Sequence, residues 1–240
     1  MDLRAVKQLA ALLFLPIAAG AQISQGYFGL AISNNHGVSW PNNTVQPLQV
    51  SAVRLWDSGT RWNQLEIAPG VYNWAPLDAM LAQAQWNHQT VLYTFGGVPA
   101  FYSSDPYDGG CTEGIGSCDA PSGLNYDGSG TNTRFKAFVT ALMAHAGTSI
   151  QYFAAWNEAN NTAFWNGSAA QMVRMAHDAR EIIKAYNPRA AVLTPSTCAC
   201  NNISFTSRTY SSSNPGDGMF YYLETQAAGV RGGANWRLAR

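Results

Sequence analysis

The chain has 240 residues (25.9 kDa), with 14 basic and 14 acidic side chains and no formal net charge. Without a basic surplus to neutralise phosphates it does not read as a nucleic-acid binder, and at 47% hydrophobic and 12% charged it is too apolar and too weakly charged to remain disordered. Eight Trp, eleven Tyr and ten Phe suit either a ring-rich core or a surface that stacks on uncharged polyhydroxylated ligands, and composition does not separate the two.

Residues 1–21 read as an address rather than as structure. Arg4 and Lys7 give a positive start, Leu9 to Ala18 is an apolar run, and Ala19-Gly20-Ala21 is a small-residue cleavage site. The run is short for a membrane span, and the three zones in order favour a signal peptide over an N-terminal core helix. Cleavage after Ala21 removes Asp2, Arg4 and Lys7 and leaves a net charge of −1. A secreted or periplasmic protein is expected, with no membrane association after processing and a monomeric state. Four cysteines fit an oxidising compartment. They allow three connectivities, among which sequence does not choose. Cys111 and Cys118 enclose a polar, Gly-rich loop and are expected to pair, whereas Cys198 and Cys200 form a C-x-C. No C-x-x-C pair or nearby His cluster supports zinc, and neither metal nor cofactor is expected. Asn42, Asn160, Asn166 and Asn202 each head an N-x-S/T pattern.

Beyond residue 22, apolar runs alternate with helical patterns. Strands are expected at Tyr27–Ile32, Val50–Trp56, Thr90–Phe95, Ile150–Trp156 and Ala190–Thr194. Residues 75–87 place Leu77, Met80, Leu81 and Ala84 at helical spacing, and residues 133–146 do the same with Phe135, Phe138, Val139 and Leu142. Ser168 and Gln171 form a capping box for a helix that Asn187-Pro188 stops near Tyr186. A further helix is expected at Met219–Ala228, and a long Gly-, Asp- and Ser-rich loop from Gly96 to about Gly130. This alternation predicts an α/β fold of parallel strands joined by right-handed crossovers. The strands read as uniformly apolar, which predicts cover on both faces. The first strand lacks a following G-x-G-x-x-G, and no P-loop pattern occurs. A (β/α)8 barrel of TIM type is therefore expected, with its site beyond the C-terminal strand ends. Asp57, Gly96-Gly97, Asn157-Glu158 and Ser196 fall there.

Trp156-Asn157-Glu158 is the sharpest feature. A carboxyl held at a strand end among rings is partly desolvated, which raises its pKa and equips it as a general acid for a poor alkoxide leaving group. The adjacent amide suits a substrate hydroxyl. The alternative is that Glu158 only caps or salt-bridges the next helix. Asp57 either binds substrate or pairs with Arg54 or Arg61, Glu66 before Pro69-Gly70 serves a turn, and Glu113 contacts sugar or is solvated. Ser196 lies in no G-x-S-x-G elbow, so a serine hydrolase is not supported.

Over residues 26–228 the chain resembles glycoside hydrolase clan A, most closely its family 39-like or cellulase-like catalytic domains. The likeness rests on VRLWDSGTRWNQLEIAPGVYNWAPLD, YTFGGVPAF and AAWNEANN, in order on the second, third and fourth strands. The resemblance implies O-glycoside hydrolysis by a retaining, two-carboxylate mechanism with a carbohydrate substrate. It makes Glu158 the acid/base, sets Asn157 on the sugar 2-hydroxyl and places Arg54 at the base of the site, holding the nucleophile's carboxylate. Trp56, Trp62 and Trp156 become sugar platforms or core residues, and His36 a sugar ligand or a solvated loop residue.

The chain departs from that pattern after the fifth strand. In the clan the nucleophile ends the seventh strand, and no residue here matches that position. Residues 22–229 are thus expected to form an incomplete barrel of five to six N-terminal β/α units. Residues 230–240, with three Arg from position 231 on, form an atypical tail that suggests a missing remainder or a shifted frame. The competing reading is a non-catalytic carbohydrate-binding or structural protein on a partial barrel.

Overall fold

The computed structural model describes residues 28–31 and 50–198. The signal-peptide segment, His36, Asn42, Cys200, Asn202, the expected helix at 219–228 and the tail lie outside the described residues.

Five strands form one parallel sheet: β1 (Gly29–Ala31), β2 (Ala52–Leu55), β5 (Thr90–Thr94), β6 (Tyr152–Ala154) and β7 (Ala191–Leu193). Their order across the sheet follows their order in the chain, and every pairing is parallel. A doubly wound sheet reverses order at a switch point. An unreversed order carries all crossovers in one sense and sets the helices on one face, as in successive units of a (β/α)8 barrel. The described residues thus form an incomplete barrel.

The helices end where local chemistry dictates. In α2 (Ala75–Trp86), Pro76 occupies the first turn, where its missing N–H costs nothing, and Asp78 faces the positive end of the helix. His88, just beyond, takes φ +54° and closes the helix in left-handed geometry. The next helix, α3 (Thr133–Ala146), buries Phe135, Phe138, Val139, Leu142, Met143 and Ala146 on one face. In α4 (Ala169–Tyr186) the capping box is present: Gln171 N donates to Ser168 Oγ at 2.9 Å, and Ser168 N donates to Gln171 Oε1 at 2.7 Å. Asp178 of α4 accepts from Arg174 Nε and from Asn132 Nδ2, both at 2.9 Å, which ties α4 to the start of α3.

Burial alternates along the strands, contrary to the expected cover on both faces. Val53, Leu55, Val91, Tyr93, Phe153 and Val192 are buried and join the helix side chains in one core. Burying each such side chain contributes about 1.5–3 kcal/mol. On the other face the register aligns Arg54, Leu92, Tyr152 and Ala191, all only partly covered, with Tyr152 42% exposed. In a closed barrel that face is the lumen, filled from the opposite wall; five strands leave it half-covered.

Two short features escape the periodicity. The segment after β2 forms one helical turn, α1 (Trp62–Leu65), and a hairpin of β3 (Glu66–Ala68) and β4 (Val71–Tyr72). Glu66 organises both: Oε2 accepts from Trp62 Nε1 at 2.6 Å, and Oε1 from the backbone N of Gly70 at 2.8 Å. Among the described residues no helix is long and apolar enough to cross a membrane.

Candidate active site

The polar residues gather beyond the C-terminal strand ends, as the barrel reading requires. Arg54 of β2 reaches across two neighbouring strands. Its Nε donates to Thr94 Oγ1 at the end of β5 (3.1 Å), and its Nη2 donates to Asn157 Oδ1 beyond β6 (2.5 Å). Burial pushes the Arg54 guanidinium below its ordinary pKa, while the nearby carboxylates of Asp57 and Glu158 push it up. Asn157 is only 4% exposed, so its orientation is set by Arg54 rather than by solvent.

Glu158 is half-buried and holds φ at +41°, a left-handed conformation that costs a non-glycine residue about 1–2 kcal/mol. Ser196, three residues past β7, fixes this turn. Its Oγ accepts from Glu158 N (3.0 Å), its N donates to Trp156 O (3.0 Å), and its O accepts from Ala159 N (3.0 Å). Asn161 Nδ2 lies 3.4 Å from Glu158 Oε2. Asn160 is fully buried and trades two hydrogen bonds with the backbone of Cys198, at 3.0 and 2.8 Å. A glycan on Asn160 is therefore incompatible with the fold, whereas Asn166 is exposed. The positioning role of Ser196 was invisible in sequence because it spans 38 residues and uses mostly backbone atoms.

A second cluster sits beside the first. Arg61, only 6% exposed, pairs with Asp57 (3.2 Å) and with Glu113, and its guanidinium lies 5.3 Å from the Trp56 ring centre. Burial pushes the Glu113 carboxyl up, Arg61 pulls it down and Asp57 adds to the rise. Glu113 is thus neither solvated nor free to meet a sugar, and of the partners considered for Asp57 the structure selects Arg61. Asn63 Nδ2 donates to Glu113 O at 2.8 Å and docks the long loop onto the site. The expected Cys111–Cys118 disulfide is present in this loop. Cys198 is also disulfide-bonded.

Burial sorts the tryptophans between the platform and core readings. Trp62 is fully buried, stacks on Phe138 (5.4 Å) and bonds Glu66. Trp156 is fully buried against Trp165 and donates to Phe164 O at 2.9 Å. Rings with both faces covered have nothing to offer a sugar, so these two are core residues. Trp56, 5% exposed, packs edge-on to Phe164 (6.0 Å) and over Gly96, where a Cβ would overlap its six-membered ring. Gly97 takes φ +68°, and a Cβ there would overlap the Asn63 amide. The Gly-Gly pair lets Trp56 and Asn63 close on the end of β5.

No family model and no curated protein matches the chain. Solved structures similar to it include a family 39 glycoside hydrolase from Bacteroides cellulosilyticus WH2 (14% identity, TM-score 0.43, 66% of this chain and 29% of that one). Others are a psychrophilic family 10 endo-β-1,4-xylanase (12%, 0.46, 69% and 50%) and the family 53 catalytic domain of Ignisphaera aggregans (18%, 0.42, 75% and 46%). The chain spans half or less of the length of each. Similarity at this level adds nothing to what the sheet order already defines.

Proposed function

We propose that the chain is the N-terminal part of a glycoside hydrolase catalytic domain in which Glu158 is the acid/base and Asn157 holds the sugar 2-hydroxyl. The observation that carries this reading is the Arg54–Asn157 hydrogen bond. It fixes the Asn157 amide at one strand end, beside Glu158, the pairing that the sequence motif implies. The reaction is retaining, with β-linked glycosides as substrates. That mechanism requires a second carboxyl about 5–5.5 Å from the first. Asp57 and Glu113 are both committed to Arg61, so the reading assigns the nucleophile to a later strand, outside the described residues.

The same commitment favours a second reading, a carbohydrate-binding protein without turnover. The purified chain and a version extended through the rest of the barrel separate the two on an aryl β-glycoside with a poor leaving group. Turnover by the extended version alone is expected, falling about 10²–10⁴-fold in Glu158→Gln. Undiminished activity in that variant refutes the role of Glu158. Robust turnover by the 240-residue chain refutes the missing nucleophile, and inactivity of both with retained sugar binding establishes the second reading.

A further inference from the structure

The disulfide-closed loop carries four side chains able to ligate a metal. Asp108, Cys111, Cys118 and Asp119 each bring one ligand atom into a space where all four lie within 4.8 Å of one another. Cys111, Cys118 and Asp119 are buried, and Asp108 is half-buried and leaves a way in.

Three observations point to a soft cation. First, Cys111 Sγ lies 3.9 Å from Asp119 Oδ2, and Cys118 Sγ lies 3.7 Å from Asp108 Oδ2. Tetrahedral Zn²⁺, with Zn–S near 2.3 Å and Zn–O near 2.1 Å, sets sulfur and oxygen about 3.6 Å apart. Both contacts thus already approach the edge of a zinc tetrahedron, and only the covalently joined sulfurs do not. Second, the outer atoms of the set are held. Gly110 N donates to Asp108 Oδ1 at 2.7 Å, Asn166 Nδ2 to Asp119 Oδ1 at 3.2 Å, and Cys118 N to Cys111 Sγ at 3.0 Å. Such outer bonds orient metal ligands, and here they leave the Oδ2 of each carboxylate beside a sulfur. Asn166 Nδ2 also approaches Asp108 Oδ2, at 3.4 Å, a contact long enough to give way. Third, among the described residues no Lys, Arg or His pairs with either carboxylate. Buried charges are paired or coordinate a metal.

We propose that this loop is a redox-gated zinc site, a disulfide when oxidised and a set of two thiolates and two carboxylates around Zn²⁺ when reduced. A dithiol supplies two electrons and two protons, breaks the Cys111–Cys118 bond and leaves as its own disulfide. The two thiols then release their protons to solvent as Zn²⁺ binds both sulfurs, and Asp108 and Asp119 complete the set. Oxidation runs the sequence backwards and expels the metal. Thiolate ligands select zinc over calcium or magnesium. In either state the loop is cross-linked where it brings Glu113 to Arg61. The inference does not rest on the glycosidase reading, because none of the four residues belongs to the Glu158 site.

The test reduces the 240-residue chain with a phosphine, removes the reductant without air, and titrates with Co²⁺ as the spectroscopic probe and Zn²⁺ as the competitor. The reduced chain is expected to show the visible absorption of tetrahedral cobalt and a sulfur-to-metal charge-transfer band. Zn²⁺ displaces the cobalt with a Kd of about 1 μM or tighter, and calcium chloride does not. The oxidised chain shows neither band. Asp108→Asn with Asp119→Asn weakens zinc at least about tenfold. Cys111→Ser with Cys118→Ser abolishes the sulfur band, whereas Cys198→Ser with Cys200→Ser, which leaves only the loop thiols, keeps it. Amide exchange in β5 checks that each variant is folded. A reduced chain without the sulfur band overturns the proposal. So does equal metal binding by the oxidised chain, undiminished affinity in the double aspartate variant, or a band that follows Cys198 and Cys200 instead.

Discussion

Gly96→Ala isolates one contact at the end of β5. A methyl group there lands on Cζ3 and Cη2 of Trp56. Neither side yields cheaply. Trp56 is 5% exposed and wedged between Phe164 and the Arg61 guanidinium, and Gly96 O accepts the Trp62 amide at 3.0 Å. Overpacking of this kind costs about 1–3 kcal/mol, and a loss near 2 kcal/mol lowers Tm by about 4–8 °C in a domain of this size. Gly70→Ala is the contrasting case: φ is +73°, but no atom lies within 4 Å of the added Cβ. It carries only the left-handed penalty of about 1–2 kcal/mol. The two mechanisms separate in a double-mutant cycle with Trp56→Leu. Removing the ring should make Gly96→Ala nearly harmless, a coupling of at least about 1 kcal/mol, and should leave the cost of Gly70→Ala unchanged. Urea denaturation measures all the variants. A Gly96→Ala chain within about 0.5 kcal/mol of the parent, or full additivity with Trp56→Leu, refutes the contact as drawn.

Other outcomes follow from the long loop. Burial pushes the Asp119 carboxyl up to about 6, with Asn166 opposing and the Asp108 and Asp105 carboxylates adding to the rise. The folded state thus holds a proton that the unfolded chain releases at its ordinary pKa of 3.8. Its contribution is complete below 3.8 and is lost as pH rises through about 6. Tm should fall across that window, and Asp119→Asn should flatten the fall; an unchanged slope in the variant contradicts the assignment. The Cys111–Cys118 bridge closes a loop of eight residues, worth about 2.5 kcal/mol in the chain-entropy model. Replacing both cysteines by serine should speed amide exchange across 108–119 while β5 keeps its protection. Equal loss of protection in β5 means that the loop is integral to the core.

The strands and long helices were legible because their signals are local: apolar runs of strand length, a periodic face and a capping box. The α3 boundaries, residues 133–146, coincide with the periodic run because all six of its buried side chains lie on one stripe. The hairpin after α1 was not legible, since its strands are three and two residues long and are held by one carboxylate. The expected cover on both sheet faces failed for a different reason. Leu92 and Tyr152 are apolar in sequence, yet whether a lumen is filled depends on strands elsewhere. At the site, position beyond a strand end was readable for Asp57, Asn157 and Glu158, but partnership was not. Arg61 meets Glu113 across 52 positions, and only the folded loop brings them together. Ring burial was equally hidden: Trp62 and Trp156 read as platforms or core until their neighbours are known.

If Glu158 is the acid proposed above, its left-handed backbone sets stability and chemistry against each other at one residue. Glycine or asparagine relaxes at φ +41° where glutamate does not, so drift toward a firmer fold runs toward losing this carboxyl. A chain with no need for an acid at this strand end has a downhill route of one codon change, Glu158→Gly, that relieves the backbone and removes the carboxyl. Under the proposed role of Glu158, keeping glutamate at this position costs the fold about 1–2 kcal/mol that glycine would return.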